Sequence, residues 1–189
     1  MKRITALLAV TALSMIMLDF RELYSQITWT RMPDVSHRIL NTCSFLDYNT
    51  GWIGGDSGLI LKTTNAGMNW TEQSSGTFYN IERIYFYNSQ IGYALVWNVF
   101  PDTNQFLGTV ILKTTNGGSF WNKTPYPDTN YFLRDIYFLT ETTGFVGGSP
   151  IVIAKTTNAG NTWVKMDADT TNIGLPVFSI KFFDSQTGF

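Results

Sequence analysis

Arginine is the residue type in this 189-residue sequence best suited to hold an anion, because its guanidinium pairs with a carboxylate through two parallel hydrogen bonds. Three arginines precede short runs of alternating β-branched and aromatic residues: Arg38, Arg83 and Arg134. If those runs are equivalent strands of a repeat, the three side chains converge on one rim and form a carboxylate site. The alternative is that they diverge, since they lie 7, 3 and 4 residues before the next Phe, or that Glu82 and Asp135 neutralise two of them.

Catalytic and metal chemistry have weaker support. Glycoside hydrolysis needs two carboxylates that flank the scissile bond, and no two acidic residues form a recognisable catalytic pair. The acidic residues considered are Asp56, Glu82, Asp128, Asp135, Asp167 and Asp169. His37 and Cys43 are each the only residue of their type, which falls short of a four-ligand zinc set. The sequence therefore predicts no catalytic residue, no metal site and no cofactor.

The elements that would position the arginines are copies of one unit. A Lys-Thr-Thr-Asn tetrad occurs three times, with a Gly two residues after its Asn and a Trp five residues after it. The positions of this turn motif are Thr63, Asn65, Gly67, Trp70; Thr114, Asn116, Gly118, Trp121; and Thr156, Asn158, Gly160, Trp163. In each turn the Asn is expected to accept backbone N–H bonds, and the Gly to take a positive φ at no steric cost.

Two further landmarks recur in register with the tetrads. A Gly-aromatic pair stands at residues 51–52, 92–93, 144–145 and 188–189, and a Phe lies six residues before each of these glycines. Two residues before each Phe is an Ile or, in the first copy, Cys43. A period in the forties built from short apolar runs and Gly/Asn turns predicts stacked four-stranded antiparallel sheets. Cys43, in the slot of an Ile, is expected to be a small buried core residue rather than a nucleophile.

The motif resembles the Asp-box (BNR) repeat, whose pattern is Ser/Thr-x-Asp-x-Gly-x-Thr/Ser-Trp. All three copies carry Asn in place of Asp, and the second departs again at Phe120. The full unit is similar to the repeat of the photosystem II stability/assembly factor-like propellers, and also to the propellers of sialidases, xyloglucan-cleaving hydrolases and sortilin-type receptors. The resemblance implies an all-β fold, a β-propeller in which the box builds the blade away from the ligand face and first strands line a central channel.

The expected organisation is an export signal over residues 1–26 and a partial propeller over 27–189. Residues 4–18 form an apolar run after a basic start, too short for a typical spanning helix, although an uncleaved anchor is the alternative. We expect blades at about 36–74, 80–124 and 132–167, an outer strand around Trp29, and the start of another blade at 175–189. Three complete blades plus partial ones predict a fragment of a larger propeller, seven-bladed by resemblance. The second blade carries ten extra residues near 98–107, either a longer strand pair or a loop that projects aromatic residues.

These features favour an exported, non-catalytic binding or scaffold module that presents its rim to a protein or a glycan. The expected location is secreted, periplasmic or on the cell surface, with no stable membrane insertion once the signal is removed. The formal net charge of −1 gives no reason to expect a nucleic acid partner. The alternatives are a fragment of a sialidase-like or xyloglucanase-like glycoside hydrolase, and a nonfunctional remnant.

Overall fold

The computed structural model describes residues 36–99, 106–166, 175–184 and 186–189, which belong to the compact unit Asp34–Phe189. Twelve strands form three four-stranded antiparallel sheets in this part of the chain, called blades 1 to 3 below. Blade 1 contains β1 (Leu40–Phe45), β2 (Gly51–Gly55), β3 (Leu59–Thr63) and β4 (Thr71–Ser74). Blade 2 contains β5 (Ile81–Phe86), β6 (Gly92–Val99), β7 (Phe106–Thr114) and β8 (Asn122–Pro125). Blade 3 contains β9 (Phe132–Phe138), β10 (Gly144–Ser149), β11 (Val152–Thr156) and β12 (Val164–Lys165). The predicted signal segment and the strand around Trp29 lie outside the described residues.

Neighbouring blades pack through apolar side chains that alternate along their strands. Successive strand residues point to opposite faces of a sheet, so a central blade can bury both of its faces. In β6, Ala94 and Val96 pack in the core shared with blade 1, whereas Tyr93 and Leu95 pack in the core shared with blade 3. The cores therefore lie between the blades, and each blade depends on its neighbours for burial.

A stacked pair of aromatic rings marks each joint between blades. The aromatic residue of a Gly-aromatic pair stacks on the landmark Phe of the following unit. The pairs are Trp52–Phe86, Tyr93–Phe138 and Phe145–Phe182, with ring centroids 3.5, 4.0 and 3.6 Å apart. The Gly is required because the same Phe ring lies against it: a Cβ on Gly92 would lie 2.5 Å from Phe86. The Gly-aromatic pair and the landmark Phe therefore form one packing contact between neighbouring units.

The Thr-x-Asn-x-Gly turns share one hydrogen-bond pattern. In blade 2, the Oγ1 of Thr114 accepts the N–H groups of Asn116 and Gly118 at 3.3 and 2.9 Å, and Asn116 Oδ1 accepts the N–H of Phe120 at 2.9 Å. Blades 1 and 3 repeat these bonds. The predicted roles of Asn and Gly are confirmed, with φ between +80° and +92° at the three glycines.

The turns are also bonded to the blade before them. Lys62 donates from Nζ to the carbonyl oxygen of Gly117 at 3.1 Å, and Lys113 donates to that of Ala159 at 2.8 Å. Each ammonium group lies over the aromatic ring opposite it in its own blade, 5.0 and 5.8 Å from the centroid. That aromatic residue donates to the same carbonyl. The Lys of the tetrad therefore serves the turn of the next blade.

One sequence prediction is wrong in detail. Cys43 is exposed, whereas Ile84 and Ile136 in the same slot are 1% exposed. The reason is that this face of a blade packs against the preceding blade, and no described residue covers it in blade 1. The paired glycines at 54–55 and 147–148 lie near the ends of β2 and β10. They are needed there because added Cβ atoms on Gly55 and Gly148 would lie 2.3 and 2.2 Å from the backbone oxygens of Ile39, just before β1, and of Phe132 in β9.

The extra residues of blade 2 lengthen β6 and β7, which pair as far as Val99 and Phe106. The interpretation as a longer strand pair is confirmed for the described residues, and residues 100–105 lie outside them. In the last described segment, Phe182 and Gly188 form an isolated bridge instead of the expected first strand.

Candidate functional site

In the first strand of each blade, one residue is skipped in the pairing with the second strand of that blade. In β1 the pairing passes from Leu40 directly to Thr42, so Asn41 forms a β-bulge. Glu82 in β5 and Arg134 in β9 are skipped in the same way. A bulge re-aims its side chain and is common beside binding sites. The three bulged residues occupy the same position, two residues before the Ile or Cys landmark.

The bulges converge on one cavity of about 520 Å³ along the first strands. Its lining comes from all three blades: Leu40, Asn41, Thr42, Cys43, Ile53, Glu82, Arg83 and Arg134. The apolar lining residues come from β1 and β2, together with the polar Asn41 and Thr42, and the charged ones come from β5 and β9. The cavity can therefore receive an apolar group beside a charged or amide group.

Arg134 lines the cavity and is held by aromatic rings instead of by an acidic partner. Its guanidinium lies between the rings of Trp97 and Phe178, 5.3 and 4.9 Å from their centroids. Its Nε is buried and has no hydrogen-bond partner among the described residues. Stacking on aromatic faces holds a guanidinium in place and leaves its N–H edge free to pair with a carboxylate.

One of the two rings beside Arg134, that of Trp97, belongs to the lengthened strand pair of blade 2. Trp97 donates from Nε1 to the carbonyl oxygen of Leu133 at 2.8 Å and contacts Phe132 edge-on. Phe106 stacks on Phe132 with centroids 3.5 Å apart. These aromatic side chains thus pack against blade 3 and position its arginine.

Arg83 has a structural partner. Its Nε donates to Asp135 Oδ1 at 2.7 Å, and Asp135 is 1% exposed. The other oxygen of Asp135 accepts the N–H of Ile180 at 2.9 Å and the hydroxyl of Ser179 at 3.1 Å. Asp135 therefore neutralises Arg83 across the joint between blades 2 and 3. Because both of its oxygens already accept hydrogen bonds, Asp135 is unsuited to acid–base chemistry.

Arg38 lies apart from the other two arginines. It pairs with Glu72 of β4 at 2.6 Å on an exposed surface and does not line the cavity. The structure thus brings Arg83 and Arg134 of the three predicted binding residues to one cavity. Arg38 points elsewhere because it precedes β1 instead of lying within it.

Glu82 has the most perturbed carboxyl of the cavity. Burial raises its pKa, the negative charge of Asp56 raises it further, and Arg134 acts in the opposite direction. Asp56 itself accepts a hydrogen bond from the amide of Asn41 at 3.0 Å. The site therefore combines an amide, a carboxyl with a raised pKa and a guanidinium.

Sequence reasoning missed Asn41 and considered Glu82 only as a neutralising neighbour and as one of several available carboxylates. The repeat shows that both residues lie two positions before the landmark Ile or Cys. The β-bulge that turns their side chains into the cavity cannot be recognised from the alternation of residues along a strand. Among the described residues, no group of three His, Cys, Asp or Glu side chains could hold a metal ion. The same residues include no helix with the length and apolarity that a membrane crossing needs.

The three blades, with bulged first strands facing one cavity, define a β-propeller, and comparisons with solved structures support this class. A structure described as YCF48 bound to D1 peptide matches 72% of this chain and 42% of its own, with 21% identity and a TM-score of 0.56. YCF48 from Cyanidioschyzon merolae matches 72% and 39%, with 21% identity and a TM-score of 0.59. The GH74 enzyme of Niastella koreensis matches 69% and 23%, with 16% identity and a TM-score of 0.51.

The chain thus spans less than half the length of these structures. No family model and no curated protein matches the sequence. At these identities the likeness establishes the propeller fold alone.

Proposed function

We propose that this propeller is a non-catalytic binding module that holds an extended segment of a partner protein in the cavity between its first strands. The observation that carries the proposal is Arg134, whose guanidinium lies near two rings and lines a cavity that also has apolar lining residues. A segment with an acidic group next to an apolar side chain has the matching chemistry. One of the structurally similar propellers is described as bound to a peptide, which supports this class of partner.

The finer assignment follows from the repeat. We propose that the Thr-x-Asn-x-Gly turns are Asp-boxes in which the amide oxygen of Asn replaces a carboxylate oxygen as acceptor, and that the protein is an exported member of the photosystem II assembly factor-like type. The hydrogen bonds from residues 69, 120 and 162 to the Asn side chain support the first statement. The basic and apolar start of the sequence supports the second.

The test is selection of short random peptides from a phage library on the wild-type protein. The best peptide is then labelled, and its affinity is measured by fluorescence anisotropy. Arg134→Ala should weaken it about 10-fold to 100-fold, because a hydrogen bond to a charged group contributes about 1.5–3 kcal/mol. Arg38→Ala is the matched control and should change nothing, since Arg38 does not line the cavity. Equal loss with both variants, or enrichment of no peptide, would refute the proposal.

A glycoside hydrolase fragment is the second candidate. Its support is Glu82, whose raised pKa and coupling to Asp56 are the features of a general acid beside a second carboxylate. The test is release of reducing sugar from xyloglucan. Activity that is lost in Glu82→Gln and kept in the surface variant Glu72→Gln would replace the binding proposal with this one.

A further inference from the structure

The three bulged residues differ in how the protein itself satisfies them. The amide of Asn41 donates from Nδ2 to Asp56 Oδ1 at 3.0 Å and to the carbonyl oxygen of Ile81 at 3.4 Å. Glu82 and Arg134 line the same cavity with opposite charges. In the described part of the chain, neither of these two belongs to an ion pair. The bulges therefore bring two opposite charges to one cavity without joining them to each other.

The carboxyl of Glu82 lies in surroundings that disfavour its ionised form. The side chain is half-buried, and burial is the largest cause that raises the pKa of its carboxyl. The negative charge of Asp56 is the second cause, and its effect exceeds the opposing effect of Arg134. An additional cationic group beside Glu82 would offset both, because an opposite charge favours the ionised carboxylate.

The guanidinium of Arg134 is the complementary case. It lies near the rings of Trp97 and Phe178, and its Nε has no hydrogen-bond partner among the described residues. An aromatic face attracts a cation but accepts no strong hydrogen bond from its N–H groups. The guanidinium can therefore pair with an anion through its N–H edge while its ring contacts remain in place.

We propose that the segment held in this cavity carries a basic group as well as an acidic one, with the basic group against Glu82 and the acidic group against Arg134. This inference rests on the proposed function and adds the charge pattern of the partner. Glu82 and Arg134 belong to the first strands of neighbouring blades, so the two groups lie close together in the partner segment. A segment with acidic groups alone would place like charge near Glu82, which discriminates against it.

The test uses the peptides that phage selection on the wild-type protein enriches. Those whose affinity falls in Arg134→Ala occupy the cavity and should share a basic residue near their acidic one. In the best of them, the basic residue is replaced by methionine, which is similar in length and uncharged. Glu82→Gln should weaken binding of the parent peptide about 10-fold, because a hydrogen bond between charged groups is lost. The same variant should bind the methionine peptide as tightly as the wild type does, which also shows that it is folded.

Glu72→Gln is the matched control, since Glu72 is an exposed residue of β4 and does not line the cavity. It should bind both peptides as the wild type does. This inference would be overturned, and the proposed function left standing, by peptides that depend on Arg134 and share no basic residue. Equal affinity changes for the two peptides in Glu82→Gln, or no change for either, would have the same consequence. Enrichment of no peptide would overturn the proposed function and this inference together.

Discussion

In the part of the chain that the structure describes, three residues hold left-handed backbone conformations without being glycine: Ser57, Ala66 and Ala159. Ala66 and Ala159, each with φ of +58°, stand directly before the glycine of a Thr-x-Asn-x-Gly turn. Blade 2 has Gly117 at this position. The two alanines show that the turn itself imposes this conformation, because its hydrogen bonds persist despite the steric cost of a Cβ there.

Removal of that Cβ should stabilise the protein. In Ala159→Gly we expect the free energy of unfolding to rise by about 0.5–1 kcal/mol, since relief of the left-handed strain exceeds the added freedom of the unfolded chain. Urea unfolding followed by Trp fluorescence measures the change. The control is Asn161→Gly at an exposed position without positive φ, where a loss is expected. A gain at Asn161 as large as at Ala159 would contradict the explanation.

At the scale of the element, each turn depends on one buried hydroxyl. Thr114 is fully buried and accepts two backbone N–H groups, whereas Thr115, its neighbour in the same tetrad, is exposed. The two adjacent threonines of the tetrad therefore have different roles. The first threonine organises the turn, and the second faces solvent.

This difference gives a matched pair of substitutions. Thr114→Val should lower the free energy of unfolding by about 1–3 kcal/mol, because the buried N–H of Gly118 loses its acceptor. Thr115→Val should change it by less than about 0.5 kcal/mol. Thermal and urea unfolding of both variants decide the matter. If the two variants lose equal stability, the hydroxyl of Thr114 does not have the role given to it here.

At the scale of the whole molecule, side chains hold the blades together, and one of these links is sensitive to alkaline pH. Tyr85 of blade 2 donates to the carbonyl oxygen of Phe138 in blade 3 at 2.9 Å. Burial is the main cause that raises the pKa of Tyr85 from 10.0 to about 12. Burial also raises the pKa of Tyr93 at the same joint.

The folded state therefore keeps these protons when the unfolded state has lost them. The stability that they contribute is complete below about pH 10 and is lost as the pH rises through about 12. Tyr85→Phe should be less stable at neutral pH, because it lacks the hydrogen bond, and should lose less stability on alkalinisation. The midpoints of urea unfolding of the variant and the wild type, measured across this pH range, test the prediction. Parallel profiles for the variant and the wild type would show that Tyr85 does not titrate as stated.

The sequence was sufficient for the fold because each landmark of the repeat has a single physical role. The Thr and Asn build the turn, the Gly-aromatic pair and Phe form the joint, and their spacing requires four strands between joints.

The site was less predictable. Arg134 was found from its residue type, but Asn41 was missed, and Arg38 was grouped wrongly with it. A bulge breaks the alternation on which strand prediction rests, and an ion pair such as Arg83–Asp135 depends on contacts between blades that no local pattern encodes.

The tetrad lysines of blades 1 and 2 both donate to the turn of the blade that follows. Lys62 precedes its acceptor Gly117 in the sequence, and Lys113 precedes Ala159. A ribosome releases the chain from its N-terminus, so each donor leaves the exit tunnel before the turn that needs it. Each blade, once formed, presents a prepared surface on which the next can order itself. For these two bonds, the order of synthesis is also the order in which donor and acceptor become available.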